Sequence, residues 1–231
     1  EANAIGVLDL RRRAFTSVIG LGAKDFSLPG NQIDPLPNAT IEFISPAAKG
    51  LYMPDSIATY EWRGRTLLVM ANEGDFREDD GDRSAASSVG AVAPLNALRV
   101  LNTDSSTGKL FAAGARSFSI RDTQGKLVYD SGDTLDKEAA RRGIYDDGRS
   151  RDKGVEPEGV AVRKIGDRSY AFIGLERTLK AGVAVFDITN PEAVAFIDLI
   201  VTDGDVAPEG LVVFRMRGDY FLAIANEVSN T

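Results

Sequence analysis

The sequence lacks two residue types altogether, because none of its 231 residues is cysteine or histidine. Without cysteine, the chain has no disulfide framework, no thiolate nucleophile and no zinc–thiolate site. Without histidine, it has no Ser-His-Asp or Cys-His catalytic group of its own. Any chemistry must therefore use carboxylates, amines, guanidinium groups, hydroxyls or amides, or a metal ion held by oxygen ligands.

Positive charge and long apolar runs are also scarce. The chain has 27 Lys and Arg against 34 Asp and Glu, a net charge of −7. This balance argues against nucleic acid and anionic membranes as partners and favours cations such as metal ions. No apolar run approaches the ~20 residues of a transmembrane helix, and residues 1–5 have neither the basic nor the apolar region of a signal peptide. With no initiating methionine, we expect a part of a longer precursor.

An internal repeat is the strongest signal in the sequence. Three segments, 54–73, 157–176 and 208–227, align without gaps. Each begins with proline followed by an acid, and each reaches a second acid 19 residues after the proline. Turn sequences such as Arg63-Gly64 and Arg217-Gly218 lie midway, between apolar and β-prone flanks. Each segment is therefore predicted to form a β-hairpin.

Two further strands are predicted after each hairpin. Residues 182–188 and 194–200 follow the second hairpin, and residues 4–10 and 15–19 form a similar pair at the start of the chain. The undisturbed repeat, from Pro157 to Pro208, is 51 residues of four strands, which is the spacing of propeller blades. We therefore predict an all-β fold, a β-propeller of four-stranded antiparallel blades.

The strand count gives about three blade equivalents in a single partial β-propeller over 1–231. We divide it into a half blade (1–21), an insertion (22–53), a blade with long insertions (54–156), a blade (157–207) and a half blade (208–231). Because propellers close with four to eight blades, the expected partners are the remaining propeller blades of a parent chain or another copy. Long insertions on a rigid scaffold are where function tends to lie. A short helix is expected at 134–142.

The acids of the repeat are predicted to meet, because the first strand of a hairpin starts beside the end of the second. The predicted pairs are Asp55 with Glu73, Glu158 with Glu176, and Glu209 with Glu227. If the hairpins supply the inner strands, all six carboxylates surround one mouth of the central channel. A hard cation would relieve their mutual repulsion.

Calcium is the expected ion, since Ca²⁺ takes six to eight oxygen ligands, while Mg²⁺ and Mn²⁺ stay open as alternatives. Asp75 is a further candidate ligand, because the acid-rich loop that it begins has the density of a calcium loop, although it lacks the spacing of an EF-hand. A purely structural alternative also stays open. In it, the glutamates satisfy backbone N–H groups between blades or pair with arginine.

Several of these segments together resemble the choice-of-anchor I family. The residues that carry the resemblance cover nearly the whole chain and comprise 51–58, 71–75, 116–120, 129–133, 154–160 and 207–211. The family consists of secreted or surface bacterial β-propeller proteins that are often described as alkaline-phosphatase-like. The resemblance therefore implies a secreted, periplasmic or cell-surface protein.

The Pro-Glu-Gly element is also similar to that of phytase-like propellers, whose glutamates bind calcium around the channel. This likeness implies metal-ligand roles for Glu158 and Glu209, and less directly for Asp55, where Asp-Ser replaces Glu-Gly. Two functions follow. One is a metal-dependent phosphomonoesterase for a phosphorylated small molecule, with Arg177 or Arg77 binding the phosphate. The other is a non-catalytic surface propeller that binds a protein or glycan. The resemblance implies no catalytic residue.

Overall fold

The structure is a computed structural model that describes residues 2–77, 79–229 and 231, and for Asp79 and Asp80 the backbone alone. The strands, in chain order, are β1 (Ala4–Asp9), β2 (Ala14–Gly20), β3 (Ala23–Asp25), β4 (Lys49–Leu51), β5 (Ser56–Trp62), β6 (Arg65–Asn72), β7 (Arg83–Ala85), β8 (Arg99–Leu101), β9 (Phe111–Ala112), β10 (Ser117–Asp122), β11 (Leu127–Asp130), β12 (Pro157–Ile165), β13 (Arg168–Leu175), β14 (Ala181–Asp187), β15 (Ala195–Thr202), β16 (Pro208–Met216) and β17 (Asp219–Asn226). The α-helix α1 covers Thr134–Arg141, and short 3-10 helices cover Asp79–Asp82, Ala86–Val89 and Asp147–Arg149.

The all-β prediction is confirmed, since strands hold 47% of the residues and helices 8%. Two four-stranded antiparallel sheets dominate, which we call sheet I (β5-β6-β10-β11) and sheet II (β12-β13-β14-β15). Each consists of a first pair, the predicted hairpin, and a second pair that follows it in the chain. Their central registers agree: Ala71 faces Phe118 in sheet I, and the corresponding Gly174 faces Val183 in sheet II.

The hairpins form where the sequence places turn residues. Arg63 and Gly64 have φ angles of 50° and 74°, and Arg217 and Gly218 have φ angles of 53° and 98°. Positive φ at both central residues is the type I′ turn, whose twist matches that of the flanking strands. These turns close the first pair of sheet I and the β16–β17 hairpin.

Two-stranded sheets lie at the two ends of the chain, and they correspond to different halves of a four-stranded sheet. The β16–β17 hairpin has its register shift at 208–210, as the first pair of sheet II has at 157–160. The β1–β2 hairpin has its register shift at 7–8, as the second pair of sheet II has at 185–186. Among the described residues, β16–β17 is therefore a first pair alone and β1–β2 a second pair alone.

The first strands of successive repeats lie side by side. The backbone N–H of Val160 on β12 donates to Oγ of Ser56, which begins β5, at 3.3 Å. On the other side of β12, a Cβ atom added to Gly159 would come within 2.1 Å of the carbonyl oxygen of Glu209 on β16. Strands β10 and β14 of sheets I and II contribute to a shared apolar core, in which the ring centroids of Phe118 and Phe186 are 4.6 Å apart. The N-terminal ends of β5, β12 and β16 therefore lie next to one another.

The insertions form structure that the sequence did not predict. Strands β3, β4 and β9 form a three-stranded sheet, in which β4 and β9 run parallel and Gly50 faces Ala112. This sheet draws strands from both 22–53 and 74–113, and a separate apolar cluster that includes Phe26, Leu98 and Leu110 supports it. Strands β7 and β8 add a two-stranded sheet. The short helix expected at 134–142 is confirmed as α1.

The buried side chain of Arg116, next to the start of β10, holds together Asp34 of the 22–53 insertion, residues 150–152 and helix α1. Its guanidinium donates to the backbone carbonyls of Asp34, Ser150 and Asp152, and it lies 3.6 Å from the carboxylate of Asp136 on α1. Because the ion pair is almost completely buried, losing either partner would leave a charge without compensation.

No helix in the described part of the chain is long and apolar enough to cross a bilayer.

Candidate metal centre

Glu158 and Glu176 meet at one end of the first pair of sheet II. Pro157 faces Leu175, and the register shift that follows makes Glu158 part of a bulge beside the end of β13. The backbone N–H of Glu176 donates to the carbonyl of Glu156 at 3.0 Å, which fixes the start of the loop after β13. The two carboxyl groups share a hydrogen bond. The first and second acids of this repeat therefore meet as the hairpin geometry requires.

Glu73 joins them from sheet I. It follows β6 directly, and the next residue, Gly74, donates its N–H to the carbonyl of Met53 at 3.0 Å. Glu73, Glu158 and Glu176 each place a carboxylate oxygen within 4.8 Å of the other two. Glu73 and Glu176 are buried and Glu158 is half-buried. The three acids thus form a cluster between the two sheets, which we call the tri-glutamate cluster.

Cations around the cluster neutralise two of its members. Lys153 Nζ lies 2.6 Å from Oε1 of Glu73, and a nitrogen of Arg177 lies 2.6 Å from Oε1 of Glu176. Glu158 has no ion pair with any described lysine or arginine, and its Oε2 atom is buried without a hydrogen bond from the described residues. Of the three carboxyl groups in the cluster, that of Glu158 therefore has neither a counter-charge nor a full set of hydrogen bonds from the described residues.

This environment favours the uncharged form of Glu158. Burial is the main reason that the pKa of Glu158 rises to about 9, and its hydrogen bond to Glu176 and the charges of Glu176, Glu73 and Asp55 add to the rise. Burial also raises the pKa of Glu176, against the effects of its hydrogen bond with Glu158 and of Arg177. Near neutral pH, the site therefore requires either a proton or a cation at Glu158.

The carboxylate oxygens of the cluster lie close enough together to contact a single cation. Ca²⁺ holds oxygen ligands at about 2.3–2.6 Å, so two ligands on opposite sides of the ion are about 4.6–5.2 Å apart. The oxygens of the tri-glutamate cluster are no further apart than 4.8 Å. Mg²⁺, with ligands at about 2.0–2.1 Å and opposite ligands about 4.0–4.2 Å apart, is also compatible with this upper limit. An all-oxygen, carboxylate-rich donor set is also what hard cations prefer.

A comparison with known families identifies the chain. The model of the choice-of-anchor I domain matches residues 1–191, more than four fifths of the sequence. The chain belongs to the choice-of-anchor I family. The resemblance noted in the sequence is thus confirmed, and membership indicates an extracellular or cell-surface protein. No curated protein and no solved structure shows significant similarity to it.

The structure places the other four sequence-predicted ligands of this choice-of-anchor I chain outside the tri-glutamate cluster. They are Asp55, Asp75, Glu209 and Glu227, and all four are exposed. Asp55 lies near enough for its charge to raise the pKa of Glu158. Glu209 and Glu227 lie on the last hairpin, where no further described sheet covers them. The structure thus brings together three of the seven residues.

The two predicted phosphate-binding arginines have different surroundings. Arg177 is beside the cluster, bound to Glu176, with its side chain 43% exposed. Arg77 makes ion pairs with Asp82 and Asp104, at 3.2 and 2.8 Å. Its guanidinium therefore serves to hold the 74–113 insertion together, whereas Arg177 keeps an accessible face beside the acids.

Sequence reasoning missed the basic residues behind the cluster. Besides Glu73, Lys153 binds Glu156 at 2.8 Å, and Nε of Arg149 donates to Glu156 at 2.8 Å. Burial alone would lower the pKa of Lys153, but the carboxylates of Glu156 and Glu73 raise it, so the ammonium stays charged. Glu156 has a φ of 52° immediately before Pro157, an uncommon conformation for a residue other than glycine. The clustering of Lys153 and Glu156 just before Pro157 was the available signal.

Proposed function

We propose that this choice-of-anchor I chain is a calcium-binding β-propeller module of a secreted, periplasmic or cell-surface protein. The observation that carries the proposal is the tri-glutamate cluster, in which Glu158 has neither a counter-ion nor a partner for Oε2. Protonation or cation binding can resolve this arrangement, and calcium is abundant outside cells. The ligands come from two successive repeats, whereas the sequence-based hypothesis placed six carboxylates of three repeats around one mouth.

The propeller arrangement is supported by three features of the sheets. Sheets I and II have the same strand order and the same central register. Their first strands, β5 and β12, lie side by side, and β16 follows on the far side of β12. In a propeller, the first strand of each blade lines the central channel in the same way. The blade divisions given above remain part of this proposal.

The position of the tri-glutamate cluster favours a structural role for an ion bound there. Glu73 belongs to sheet I, and Glu158 and Glu176 belong to sheet II, so a bound ion would fasten two blades together. In this reading, the insertions over 22–53 and 74–113 supply the surface that binds a protein or glycan. Their shared sheet gives that surface a rigid base.

Phosphomonoester hydrolysis is the second candidate, and Arg177 favours it. Its half-exposed guanidinium lies beside the cluster, where it would bind a phosphate oxygen while the ion polarises another. Turnover of p-nitrophenyl phosphate with Ca²⁺, Mg²⁺ or Mn²⁺ is the direct assay, with Arg177→Gln as the variant. Wild-type turnover at the background rate excludes this candidate and leaves calcium binding intact.

Thermal unfolding with and without calcium tests the main proposal. At a calcium concentration of about one hundred times Kd, binding stabilises the folded state by about 2.7 kcal/mol. For a chain of this length we expect the Tm to rise by about 5–10 °C relative to EDTA. Mg²⁺ and Mn²⁺, tested in parallel at the same concentrations, measure which cation the site prefers.

The repeat supplies a matched pair of variants. Glu158→Gln removes the carboxylate at the centre of the cluster, whereas Glu209→Gln changes the same position of the next repeat, which is exposed. We expect Glu158→Gln to abolish the calcium-dependent rise in Tm and Glu209→Gln to retain it. An unchanged wild-type Tm in EDTA and calcium, or an equal loss in both variants, would refute the proposed site.

A further inference from the structure

Three arginines surround one buried carboxylate on the side of the molecule that the 74–113 insertion forms. The carboxylate belongs to Asp152, whose side chain is 8% exposed. Guanidinium nitrogens lie 3.3, 4.0 and 3.8 Å from it, and they belong to Arg83, Arg99 and Arg151. We call these three residues the three-arginine cluster. It runs against the composition of the chain, whose net charge is −7.

The backbone determines where the three side chains begin. In the β7–β8 sheet, Arg83 faces Leu101, and Arg99 lies two residues before Leu101 on the same strand. Residues two apart share a face of a strand, so Arg83 and Arg99 are diagonal neighbours on one face. The N–H of Arg99 donates to the carbonyl of Arg151 at 2.7 Å, which brings the third arginine and the adjacent Asp152 to this sheet. Backbone contacts therefore bring the guanidinium groups together.

Asp152 leaves two of the guanidinium groups without a hydrogen-bond acceptor. Arg83 donates to it at 3.3 Å, whereas Arg99 and Arg151 approach it through Nε at 4.0 and 3.8 Å, too far for a hydrogen bond. Neither Arg99 nor Arg151 donates a side-chain hydrogen bond to a described residue, and both Nε atoms are buried. Their side chains are nevertheless 29% and 41% exposed, so a solute can reach them. Both arginines thus have unused donors beside a carboxylate that Arg83 already binds.

We propose that Arg99 and Arg151, with Arg83 beside them, bind the phosphate or sulfate group of an external ligand. A guanidinium presents its N–H groups as a planar fork that matches an oxyanion, and a tetrahedral oxyanion has enough oxygens to accept from two such forks at once. The negative charge of the ligand would balance the positive charge that Asp152 leaves uncompensated. The site shares no residue with the tri-glutamate cluster, so it requires no metal ion.

Calorimetric titration in EDTA, with inorganic phosphate and separately with inorganic sulfate, tests this site. We expect one anion to bind per chain, and the tighter of the two identifies the group on the ligand. Arg151→Gln should weaken binding by about tenfold or more, because hydrogen bonds to a charged group are lost. Arg168→Gln is the matched control, since it removes the same charge from an exposed pair in which Asp187 lies at 3.2 Å.

A second variant separates ligand binding from a purely structural cluster. Asp152→Asn removes the carboxylate that competes with the ligand for the guanidinium groups, so we expect it to tighten anion binding by about tenfold. An arginine cluster that only holds the loops together would gain no affinity from this change. Thermal unfolding of each variant establishes that it is folded before the titration.

The outcomes distinguish this site from the candidate metal centre. Wild-type protein that binds neither anion, or equal binding by Arg151→Gln and Arg168→Gln, overturns the inference, as does weaker binding by folded Asp152→Asn. Binding that Arg177→Gln abolishes and Arg151→Gln retains also overturns it, because the anion would then lie beside the tri-glutamate cluster. Since EDTA removes calcium, failure of the anion site leaves the calcium proposal intact. A missing calcium-dependent rise in Tm likewise leaves the anion site intact.

Discussion

Lys153 and Glu73 form a buried ion pair that reaches into the candidate metal centre. The ammonium nitrogen lies 2.6 Å from Oε1 of Glu73 and 2.8 Å from Oε2 of Glu156. Glu73 is also a member of the tri-glutamate cluster, so the lysine and a metal ion would share one carboxylate. The lysine thus lowers the negative charge available to the ion.

Replacement of Lys153 should therefore lower the stability of the metal-free protein but raise its affinity for calcium. We expect Lys153→Gln to destabilise the metal-free protein, by about 3–5 kcal/mol, because two buried carboxylates lose the ammonium that they share. The same change should tighten calcium binding by about tenfold or more, since the competing positive charge is gone. Calorimetric titration checks the affinity, with Lys180→Gln as a control at an exposed pair. Weaker calcium binding by Lys153→Gln would contradict the prediction.

The pH dependence of stability should report on Glu158. Its pKa is about 9 in the folded state against an ordinary value of 4.5, so between these values the folded state holds a proton that the unfolded state has lost. The stability of the metal-free protein should therefore fall as pH rises through this window. Urea unfolding in EDTA at several pH values measures the slope.

Two changes should flatten that slope. Glu158→Gln removes the titrating group, and saturating calcium stabilises its charged form. Glu209→Gln should keep the wild-type slope, because its carboxyl is exposed. A slope that survives in Glu158→Gln would show that other groups dominate the pH dependence.

Arg116 is expected to be essential for stability. Replacing it by alanine removes the guanidinium that faces the buried carboxylate of Asp136 and donates to the carbonyls of Asp34, Ser150 and Asp152. The expected loss is about 3–5 kcal/mol in the free energy of unfolding, measured by urea denaturation. Arg12→Ala, at a side chain that is 77% exposed, should change it by less than about 0.5 kcal/mol. Equal effects of the two changes would refute the assigned role.

Gly159 explains why glycine follows the acid in the second repeat. An added methyl group would lie 2.1 Å from the carbonyl oxygen of Glu209, so β12 and β16 would have to separate. We expect Gly159→Ala to destabilise the protein by about 1–3 kcal/mol. Gly20→Ala is the control, because no atom lies within 4 Å of the added methyl group. Similar urea midpoints for the two variants would contradict the close packing of these strands.

Local sequence signals predicted the strands well. Hairpins such as β12–β13 depend on turn residues and alternating flanks that lie within one repeat, and the helix at 134–142 depends on a single short segment. The meeting of Glu158 with Glu176 follows from the same local geometry, since the two ends of a hairpin are always neighbours. These features need no information about distant parts of the chain.

Features that depend on packing between repeats were harder to predict. Glu73 reaches the cluster only because sheets I and II lie side by side, while Glu209 stays exposed although its sequence context matches that of Glu158. The roles of Lys153 and Arg149 depend on how the loop before β12 folds back. No periodicity in the sequence encodes these contacts.

The parallel pairing of β4 with β9 makes the two insertions depend on each other. Residues 49–51 and 111–112 lie far apart in the chain and on either side of the first pair of sheet I, yet they complete the same small sheet. Removing either insertion would expose the apolar residues of the other, including Phe26 and Leu110. The two insertions therefore depend on each other for their packing, and a graft onto another scaffold would have to carry both.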